Sequence, residues 1–318
     1  MDIKKLSDDI LSETEKIIVG KTDCIRKVIM AVLTGGHVLL NDLPGVGKTT
    51  LVKTLSKATG CDYRRIQFVS DMLPSDIIGM NIFNQKSGDF ELRKGPVMTN
   101  ILLADEINRA IPRTQSALLE AMEEHQITID GNTFPLPSPF IVLATENPVE
   151  AESTFHLPVA QMDRFLISLS IGYPSLEEES RMLKIVGDEI PFESVRAVSD
   201  SNMIIQAQRE CRKVHVSDAI NSYIVKITNE TRKDPRLRMG ASPRASRALY
   251  QASKAWAAMN GRSFVTPDDV KDIVYDVLVH RMTLEESAEF SGLTVRQVLS
   301  QILDNIEASI SAKDEVNA

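Results

Sequence analysis

Gly45, Gly47, Lys48 and Thr49 are the residues of this chain whose types and spacing point most directly to chemistry. The backbone N–H groups of such a glycine loop can surround a phosphate, and a following helix adds the positive end of its dipole. In this pattern the lysine reaches the β- and γ-phosphates, and the hydroxyl binds Mg²⁺. The spacing therefore predicts a site for a nucleoside triphosphate and Mg²⁺. Its proposed nucleotide-binding residues are Asp42, Pro44, Gly45, Val46, Gly47, Lys48, Thr49 and Thr50.

Asp42 departs from the usual phosphate-loop pattern, which has glycine at this position. That first glycine mainly eases the turn out of the preceding strand, so its replacement leaves the phosphate-binding part of the loop intact. The alternative is an ordinary glycine turn before a helix. An apolar run over 37–40 and an amphipathic run over 51–59 flank the loop, and this combination favours a phosphate site.

A pair of acidic residues, Asp105 and Glu106, follows the apolar run 101–104. A magnesium nucleotide needs an acid near the metal, and hydrolysis needs a base that orients and deprotonates water. Asp105 suits the first role, so the proposed metal-binding residues are Thr49 and Asp105. Glu106 suits the second role. An Asp-Glu pair after a strand is a weak signal by itself, and its position downstream of a phosphate loop makes it a strong one.

Two further polar residues are candidates for a catalytic site. Asn147 follows the apolar segment 141–146, where an amide could sense the γ-phosphate or orient water. Arg164 is a candidate for stabilising the γ-phosphate of a neighbouring subunit. The alternative for Arg164 is an ion pair within its own chain, with Asp163 or another acid, and spacing alone favours that alternative.

The elements that position these residues alternate between β-type and helical patterns. The clearest apolar runs cover 37–41, 101–105 and 140–145, and helices are predicted over 2–18 and 22–34. The second helix is expected to start at a Thr22 cap and to stop at Gly35-Gly36. This alternation predicts an α/β fold with a parallel sheet that helices cover on both faces.

The β signals fade after residue 173, which predicts a domain boundary near 172–175. Residues 1–173 form the predicted nucleotide-binding domain, and residues 174–318 form a predicted helical domain. Within the helical domain, helix starts are expected at Ser217, at Ser242-Pro243 and at Thr266-Pro267, because a capping hydroxyl precedes each of them.

Two insertions interrupt the α/β pattern. Residues 68–96 contain a predicted hairpin with strands at 80–83 and 90–93, and residues 126–139 contain a second one around Gly131-Asn132. The insertions are either surface decoration or a pair of loops that move with the nucleotide and grip a partner.

Composition and charge exclude several classes of function. The chain has 318 residues, is 43% hydrophobic and 25% charged, and carries a net charge of −8. This acidity disfavours a broad nucleic-acid-binding face. No apolar stretch approaches the about 20 residues that a membrane span needs. Three distant cysteines form neither a disulfide framework nor a zinc pattern, and the first residues do not resemble a signal peptide, so a cytoplasmic location is expected.

Longer motifs extend these local patterns across most of the chain. Asp-Glu-Ile-Asn-Arg-Ala stands at 105–110, and Gly-Ala-Ser-Pro-Arg stands at 240–244. Together with residues 42–49, 114–124, 144–148 and 157–165, they make the chain resemble the MoxR family of AAA+ ATPases from about residue 5 to residue 305. The two quoted motifs are specific to this family and its near relatives.

The resemblance implies an AAA+ P-loop NTPase with a parallel central sheet, a small all-helical lid and rings, usually hexamers, that hold ATP between subunits. By motif match, Lys48 and Thr49 belong to Walker A, Asp105 and Glu106 to Walker B, and Asn147 is sensor 1. Arg164 stands at the arginine-finger position. Arg244 stands at the sensor 2 position and is expected to touch the γ-phosphate of its own subunit. Both insertions point into the pore in related ATPases.

The implied function is that of an ATP-hydrolysing, chaperone-like machine. It would assemble, activate or metal-load another protein complex, with a von Willebrand factor A domain protein as partner. The alternatives are a nucleic-acid motor of the related helicase group, the ATPase subunit of a magnesium chelatase, and a nucleotide switch that barely hydrolyses. Acidity opposes the motor, and the form of the 105–110 motif favours MoxR over the chelatase. Glu106 with Arg164 opposes the switch, although Val159 leaves that alternative open.

Two positions depart from the family pattern near the proposed arginine finger. Val159 stands where the family usually has glutamate, and His156 stands where proline or another residue is frequent. The subunit interface is therefore expected to differ in detail from that of other members, or to be weaker.

Overall fold

The computed structural model describes residues 1–86, 88–147, 154–187 and 192–316. The strands are β1 (Val38–Asn41), β2 (Tyr63–Gln67), β3 (Gly79–Asn84), β4 (Asp89–Lys94), β5 (Ile101–Asp105), β6 (Gln126–Ile129), β7 (Asn132–Pro135), β8 (Ile141–Glu146), β9 (Ile167–Leu169), β10 (Leu237–Met239) and β11 (Thr283–Leu284). The helices are α1 (Ile3–Glu15), α2 (Thr22–Thr34), α3 (Lys48–Thr59), α4 (Pro74–Ile78), α5 (Pro112–Glu124), α6 (Val159–Met162), α7 (Leu176–Gly187), α8 (Ser201–Lys213), α9 (Asp218–Lys233), α10 (Pro243–Met259), α11 (Pro267–Leu278), α12 (Glu286–Phe290) and α13 (Val295–Val316).

The central sheet has the strand order β2-β5-β8-β1-β9, and all of its strands are parallel. Every residue of β5 and β8 is buried, as expected for central strands that helices cover on both faces. In the register, Asn41 lies opposite Glu146, and Gln67 lies opposite Asp105. The carboxyl ends of these strands therefore share one edge of the sheet, where open α/β sheets bind their ligands.

The three strands predicted from apolar runs are confirmed to within one residue at each end. β2 and β9 are absent from that prediction. Only Ile66 is buried among the five residues of β2, and β9 has three residues. Short or largely polar strands at the edges of a sheet give too weak a hydrophobic pattern to be recognised.

The predicted helix starts in the second half of the chain are confirmed. The hydroxyl groups of Ser217, Ser242 and Thr266 each accept a hydrogen bond from the backbone N–H three residues later, at the first turns of α9, α10 and α11. The prediction of a Thr22 cap is wrong, because α2 begins at Thr22 itself and this hydroxyl donates to the Glu15 carboxylate instead.

The helical region after β9 docks on the amino-terminal edge of the sheet. The Ser242 hydroxyl, at the start of α10, donates to the Asp163 carboxylate over 2.9 Å. Arg281 forms an ion pair with Asp163 at 3.2 Å and donates to the carbonyl of Phe165 over 2.5 Å. This region is helical as expected, with the addition of a short antiparallel pair, β10 and β11. The predicted boundary at 172–175 falls in the connection between β9 and α7.

An amino-terminal helix and helices of the region after β9 share one hydrophobic core. Ile25 and Val28 of α2 lie in the same buried cluster as Ile204 of α8 and Trp256 of α10. The amino-terminal helices thus join the sheet to the helical region. None of the described helices is both long and apolar enough to cross a membrane.

Both predicted hairpins are present as β3–β4 and β6–β7. The Asn81 side-chain amide donates to the Asp130 carboxylate over 2.9 Å, so the two hairpins contact each other. On β3–β4, the Phe83 and Phe90 rings pack edge to face, yet they remain 52% and 72% exposed. Residue 87, in the turn of this hairpin, lies outside the described residues.

His37 makes stability sensitive to acid. Its Nδ1 accepts a hydrogen bond from the Val142 N–H over 3.0 Å, so Nε2 carries the proton and donates to the Met122 carbonyl over 3.1 Å. Burial lowers the pKa of His37 from 6.5 to about 4, because the site disfavours the charged ring. The contribution of the neutral His37 ring to the stability of the fold is fully present above pH 6.5 and is lost as the pH falls towards 4.

We expect the free energy of unfolding to fall by about 2 kcal/mol between pH 7 and pH 5 through His37 alone. His280, which is half-buried and whose pKa desolvation lowers to about 3, adds to the same trend. Denaturant unfolding across this range measures it. His37→Asn should flatten the pH dependence, whereas His215→Asn, at an exposed position, should leave it unchanged. An unaltered pH dependence in His37→Asn would contradict this explanation.

Candidate active site

The phosphate loop connects the carboxyl end of β1 to the first turn of α3. Gly45 and Gly47 have φ of +84° and +88°, and a side chain added at either glycine would meet no atom within 4 Å. Their conformation, rather than crowding, thus requires glycine, and the space above the loop is open. The Lys48 ammonium donates to the Asp42 carbonyl over 2.7 Å. Burial lowers the pKa of Lys48, and the charges of Asp42, Asp105 and Glu106 oppose that shift.

A cavity of about 380 Å³ lies above this loop. It combines residues from the phosphate loop, the end of β2, the end of β5 and the end of β8. Its lining residues are Pro44, Gly45, Gly47, Lys48, Thr49, Thr50, Arg65, Gln67, Asp105, Glu106 and Asn147. The structure therefore brings together the residues predicted to bind phosphate, metal and water. Val46 does not line the cavity, and its side chain packs against the hydrophobic core.

Asp105 ends β5 with its carboxylate held on two sides. One oxygen accepts from the Thr145 hydroxyl over 2.7 Å, and the other accepts from Arg65 over 2.7 and 3.1 Å. Arg65 and Thr145 lie on the strands that flank β5, so the sheet itself orients this acid. Carboxylate and hydroxyl oxygens are the ligands that Mg²⁺ takes, so Asp105 and Thr49, which line the same cavity, fit this metal.

Glu106 has a left-handed backbone conformation, with φ of +56°. Its N–H donates to the Thr145 hydroxyl over 2.8 Å. Its carboxylate accepts from the Gln67 amide over 2.7 Å and from Arg109 over 2.9 Å. A non-glycine residue in this conformation is uncommon and marks a position that surrounding contacts determine. The geometry directs the carboxylate towards the end of β2.

Sequence reasoning missed Arg65, Gln67 and Thr145. The signal that could have found them is their position: each is polar and lies within or at the end of a strand beside β5. Asn108 was also missed. Its side-chain amide donates to the Asn147 carbonyl over 3.2 Å, and its amide oxygen accepts from the Asn147 N–H over 3.5 Å. Asn108, fully buried, thereby fixes the backbone that presents Asn147 to the cavity.

Arg164 lies at the opposite edge of the sheet from the phosphate loop. Two residues after it, the Leu166 N–H donates to the His37 carbonyl over 2.8 Å, just before β9 and β1 begin. β1 then runs for four residues, roughly 10 Å, before the loop starts. The Arg164 guanidinium forms an ion pair with Glu123 and donates to the Leu119 carbonyl over 3.3 Å. Burial, and then the charge of Arg244, lower the pKa of Arg164.

Arg244 shares this location. Its guanidinium donates to the second oxygen of Glu123 over 2.5 Å. Glu123 thus holds Arg164 and Arg244 side by side on one face of the molecule. Within the described part of the chain, the pair lies at the edge where the helical region docks, away from the cavity that contains Lys48.

Comparisons with known proteins place the chain in a family. The models of the "ATPase family associated with various cellular activities (AAA)" and of the "AAA lid domain" match residues 37–167 and 229–302. An uncharacterized protein of Bacillus subtilis, YeaC, is 45% identical over 97% of each chain. Chaperone MoxR1 of Mycobacterium tuberculosis is 39% identical over 96% of this chain and 82% of its own. The chain belongs to the MoxR family of AAA+ ATPases.

A solved structure agrees with this MoxR assignment. A crystal structure of a protein from Cytophaga hutchinsonii superposes with a TM-score of 0.89 at 39% identity, covering 95% of this chain and 94% of that chain. The parallel central sheet and helical lid that the resemblance implied are therefore confirmed. A magnesium-chelatase subunit homolog of Methanocaldococcus jannaschii is a more distant relative, 31% identical over 58% of this chain.

In this MoxR protein, the side chain of Asp42, which was placed among the nucleotide-binding residues of the loop, faces away from the cavity. Asp42 is buried, and its carboxylate accepts hydrogen bonds from residues 170–172 instead of facing the cavity. Residue types in the loop could not reveal this, because the partners lie 128 to 130 positions later in the chain.

The resemblance implied that Arg244 touches the γ-phosphate of its own subunit, whereas the structure places Arg244 at Glu123, away from the residues that line the cavity of its own chain. The lid of this MoxR protein docks at the amino-terminal edge of the sheet, so α10 places Arg244 beside Arg164. The ion pair of Arg164 with an acid of its own chain, which spacing alone favoured, is present, with Glu123 as the acid. Val159 begins the short helix α6 just before Arg164.

Proposed function

We propose that this MoxR protein hydrolyses ATP at the interfaces of a homo-hexameric ring. The observation that carries this proposal is the division of the predicted site between two edges of one sheet. Lys48, Asp105 and Glu106 line a cavity at the carboxyl edge. Arg164 and Arg244 lie together at the amino edge. In a head-to-tail assembly, the amino edge of one subunit, with its two arginines, would lie against the cavity at the carboxyl edge of the next subunit.

The residues of the cavity have complementary roles in this proposal. The open glycine loop and Lys48 bind the phosphates of ATP, and Thr49 and Asp105 hold Mg²⁺. Bound Mg²⁺ neutralises charge that develops on the phosphates. Glu106 acts as the base for the attacking water, and Gln67 fixes its orientation. Asn147 orients the water or senses the γ-phosphate.

The two arginines act on the nucleotide of the neighbouring subunit. In the single chain, Glu123 forms an ion pair with each of them. On assembly, the γ-phosphate competes with Glu123 for both guanidinium groups, since each presents several N–H donors to anionic oxygens. Arg164 serves as arginine finger, and Arg244 serves as a second donor from the same subunit.

In this proposal, the two hairpins contact the client protein. Phe83 and Phe90 form an exposed aromatic pair on β3–β4, and an Asn81–Asp130 hydrogen bond joins this hairpin to β6–β7. Exposed aromatic side chains are suited to binding a polypeptide, because each can bury a large area against it while few rotatable bonds become fixed. The proposed client is a protein complex that the ring assembles, activates or metal-loads through a von Willebrand factor A domain protein. The relative named Chaperone MoxR1 supports a chaperone-like role.

The protein is proposed to act in the cytoplasm, a reducing compartment, because its three cysteines form no disulfide. Burial raises the pKa of Cys24 and of Cys211 to about 12, and that of Cys61 to about 11. Such thiols stay protonated and unreactive at neutral pH. All three are free.

ATP hydrolysis measured together with sedimentation tests the proposal. We expect the wild-type chain to hydrolyse Mg-ATP, to require Mg²⁺, and to sediment as a ring when nucleotide is present. Pull-downs with ATP and the Glu106→Gln form should capture a protein that contains a von Willebrand factor A domain. A chain that remains monomeric and inactive in saturating Mg-ATP contradicts the ring ATPase, whereas an active ring that captures no such protein contradicts only the partner.

A further inference from the structure

Asp42 connects the phosphate loop to the chain segment that leads to the helical region. Its carboxylate accepts from the Ser170 hydroxyl over 2.7 Å, from the Ile171 N–H over 2.5 Å and from the Gly172 N–H over 3.0 Å. The residue is 5% exposed. A buried carboxylate is stable only when such donors satisfy it. The three donors belong to consecutive residues, so the loop holds this segment as a unit.

The main chain of Asp42 makes a second contact on the opposite side. Its carbonyl accepts the hydrogen bond from the Lys48 ammonium over 2.7 Å. In a phosphate loop the lysine moves its hydrogen bonds to the β- and γ-phosphates when nucleotide binds. Asp42 is thus the residue whose backbone contacts the phosphate-binding lysine and whose side chain holds the segment 170–172.

The segment continues directly into α7. The Tyr173 carbonyl accepts from Lys21 over 3.0 Å. Ser175 and Glu178 then exchange hydrogen bonds of 2.8 and 3.2 Å at the start of this helix. Only residues 173–175 separate the Asp42 contacts from α7, so a displacement of the segment reaches this helix over a short path.

We propose that Asp42 is a positioning residue that couples occupancy of the phosphate site to the segment between β9 and α7. Glycine, the usual residue at this point of the loop, has no side chain that could hold the segment. When Lys48 leaves the Asp42 carbonyl for a phosphate, the loop readjusts, and the buried carboxylate carries the segment with it. This inference rests on the proposed nucleotide site, and it adds a path from that site to the helical region.

The test compares Asp42→Gly and Asp42→Asn with Ser170→Ala, which removes one donor without altering the loop. Hydrogen exchange at Ile171 and Gly172 is measured with and without the non-hydrolysable analogue AMP-PNP, alongside ATPase kinetics and thermal unfolding. In the wild-type chain, we expect AMP-PNP to increase protection at these two amides. Asp42→Gly should abolish that increase and lower kcat about tenfold with little change in KM, since it removes charge-assisted hydrogen bonds outside the phosphate contacts.

Comparison of the variants distinguishes coupling between the phosphate site and residues 170–172 from a general effect on the stability of the fold. Asp42→Asn and Ser170→Ala, which each retain some of the hydrogen bonds, should reduce kcat and the AMP-PNP effect by less than Asp42→Gly does. Residues 267–278 of α11 serve as the reference region for exchange. An Asp42→Gly form with wild-type kcat and a wild-type AMP-PNP effect overturns the inference. If the Asp42 variants do not fold, an AMP-PNP effect in Ser170→Ala equal to that of the wild type overturns it. A wild-type chain that binds AMP-PNP without hydrolysing ATP refutes the proposed hydrolysis, while the exchange results still decide the coupling.

Discussion

Glu106→Gln is expected to bind Mg-ATP and to assemble, yet to hydrolyse ATP at least about 100-fold more slowly than the wild-type chain. The substitution removes the proposed base and retains the size of the side chain. Gln67 and Arg109, which hold the carboxylate at 2.7 and 2.9 Å, can still donate to the remaining amide oxygen. The fold of the cavity should therefore persist. Steady-state phosphate release, nucleotide binding and sedimentation measure the three properties separately.

Glu289→Gln provides the matched control. Glu289 is exposed on α12, so the same chemical change there should leave hydrolysis and assembly unaffected. Hydrolysis by Glu106→Gln at the wild-type rate would remove this residue from the role of base. Loss of nucleotide binding in the same variant would instead indicate that the carboxylate helps to form the cavity.

Arg164→Ala is expected to reduce hydrolysis by about 1,000-fold or more, the effect of a trans-acting arginine on phosphoryl transfer. Nucleotide binding to the variant should persist, because Arg164 lies at the opposite edge of the sheet from the cavity of its own subunit. Arg244→Ala should act in the same direction, since Glu123 holds both guanidinium groups at one place. Arg209→Ala, at an exposed position on α8, is the control and should retain activity.

Mixed rings decide whether the arginines act between subunits. Arg164→Ala and Glu106→Gln chains should each be inactive alone, and their mixture should regain activity. In such a ring, some interfaces combine an intact Glu106 with an intact Arg164 of the neighbour. The same recovery is expected for Arg244→Ala mixed with Glu106→Gln. An arginine that acts within its own chain cannot be complemented, so a mixture without activity would contradict the trans assignment of that residue.

Most of the cavity could be predicted from the sequence because its parts are local. The phosphate loop is one continuous segment, and its glycines, lysine and threonine fulfil their roles through backbone conformations that neighbouring residues dictate. Asp105 and Asn147 each follow a buried apolar run, which predicts a strand and therefore a side chain at the carboxyl edge of a parallel sheet. Three strands and the caps of three helices were predictable for the same reason.

The remaining features depend on contacts between distant parts of the chain. Gln67 meets Glu106 only because β2 pairs with β5, and a strand with one buried residue gives little signal of its own. The Asp42 carboxylate turns away from the phosphate site because β9 brings three donors beside it. The sequence by itself determined the family, the nucleotide loop and the acids that belong with it. Only the tertiary structure decided the side of the subunit on which Arg244 lies, because the docking of α10 at Asp163 and Glu123 depends on packing between the lid and the sheet.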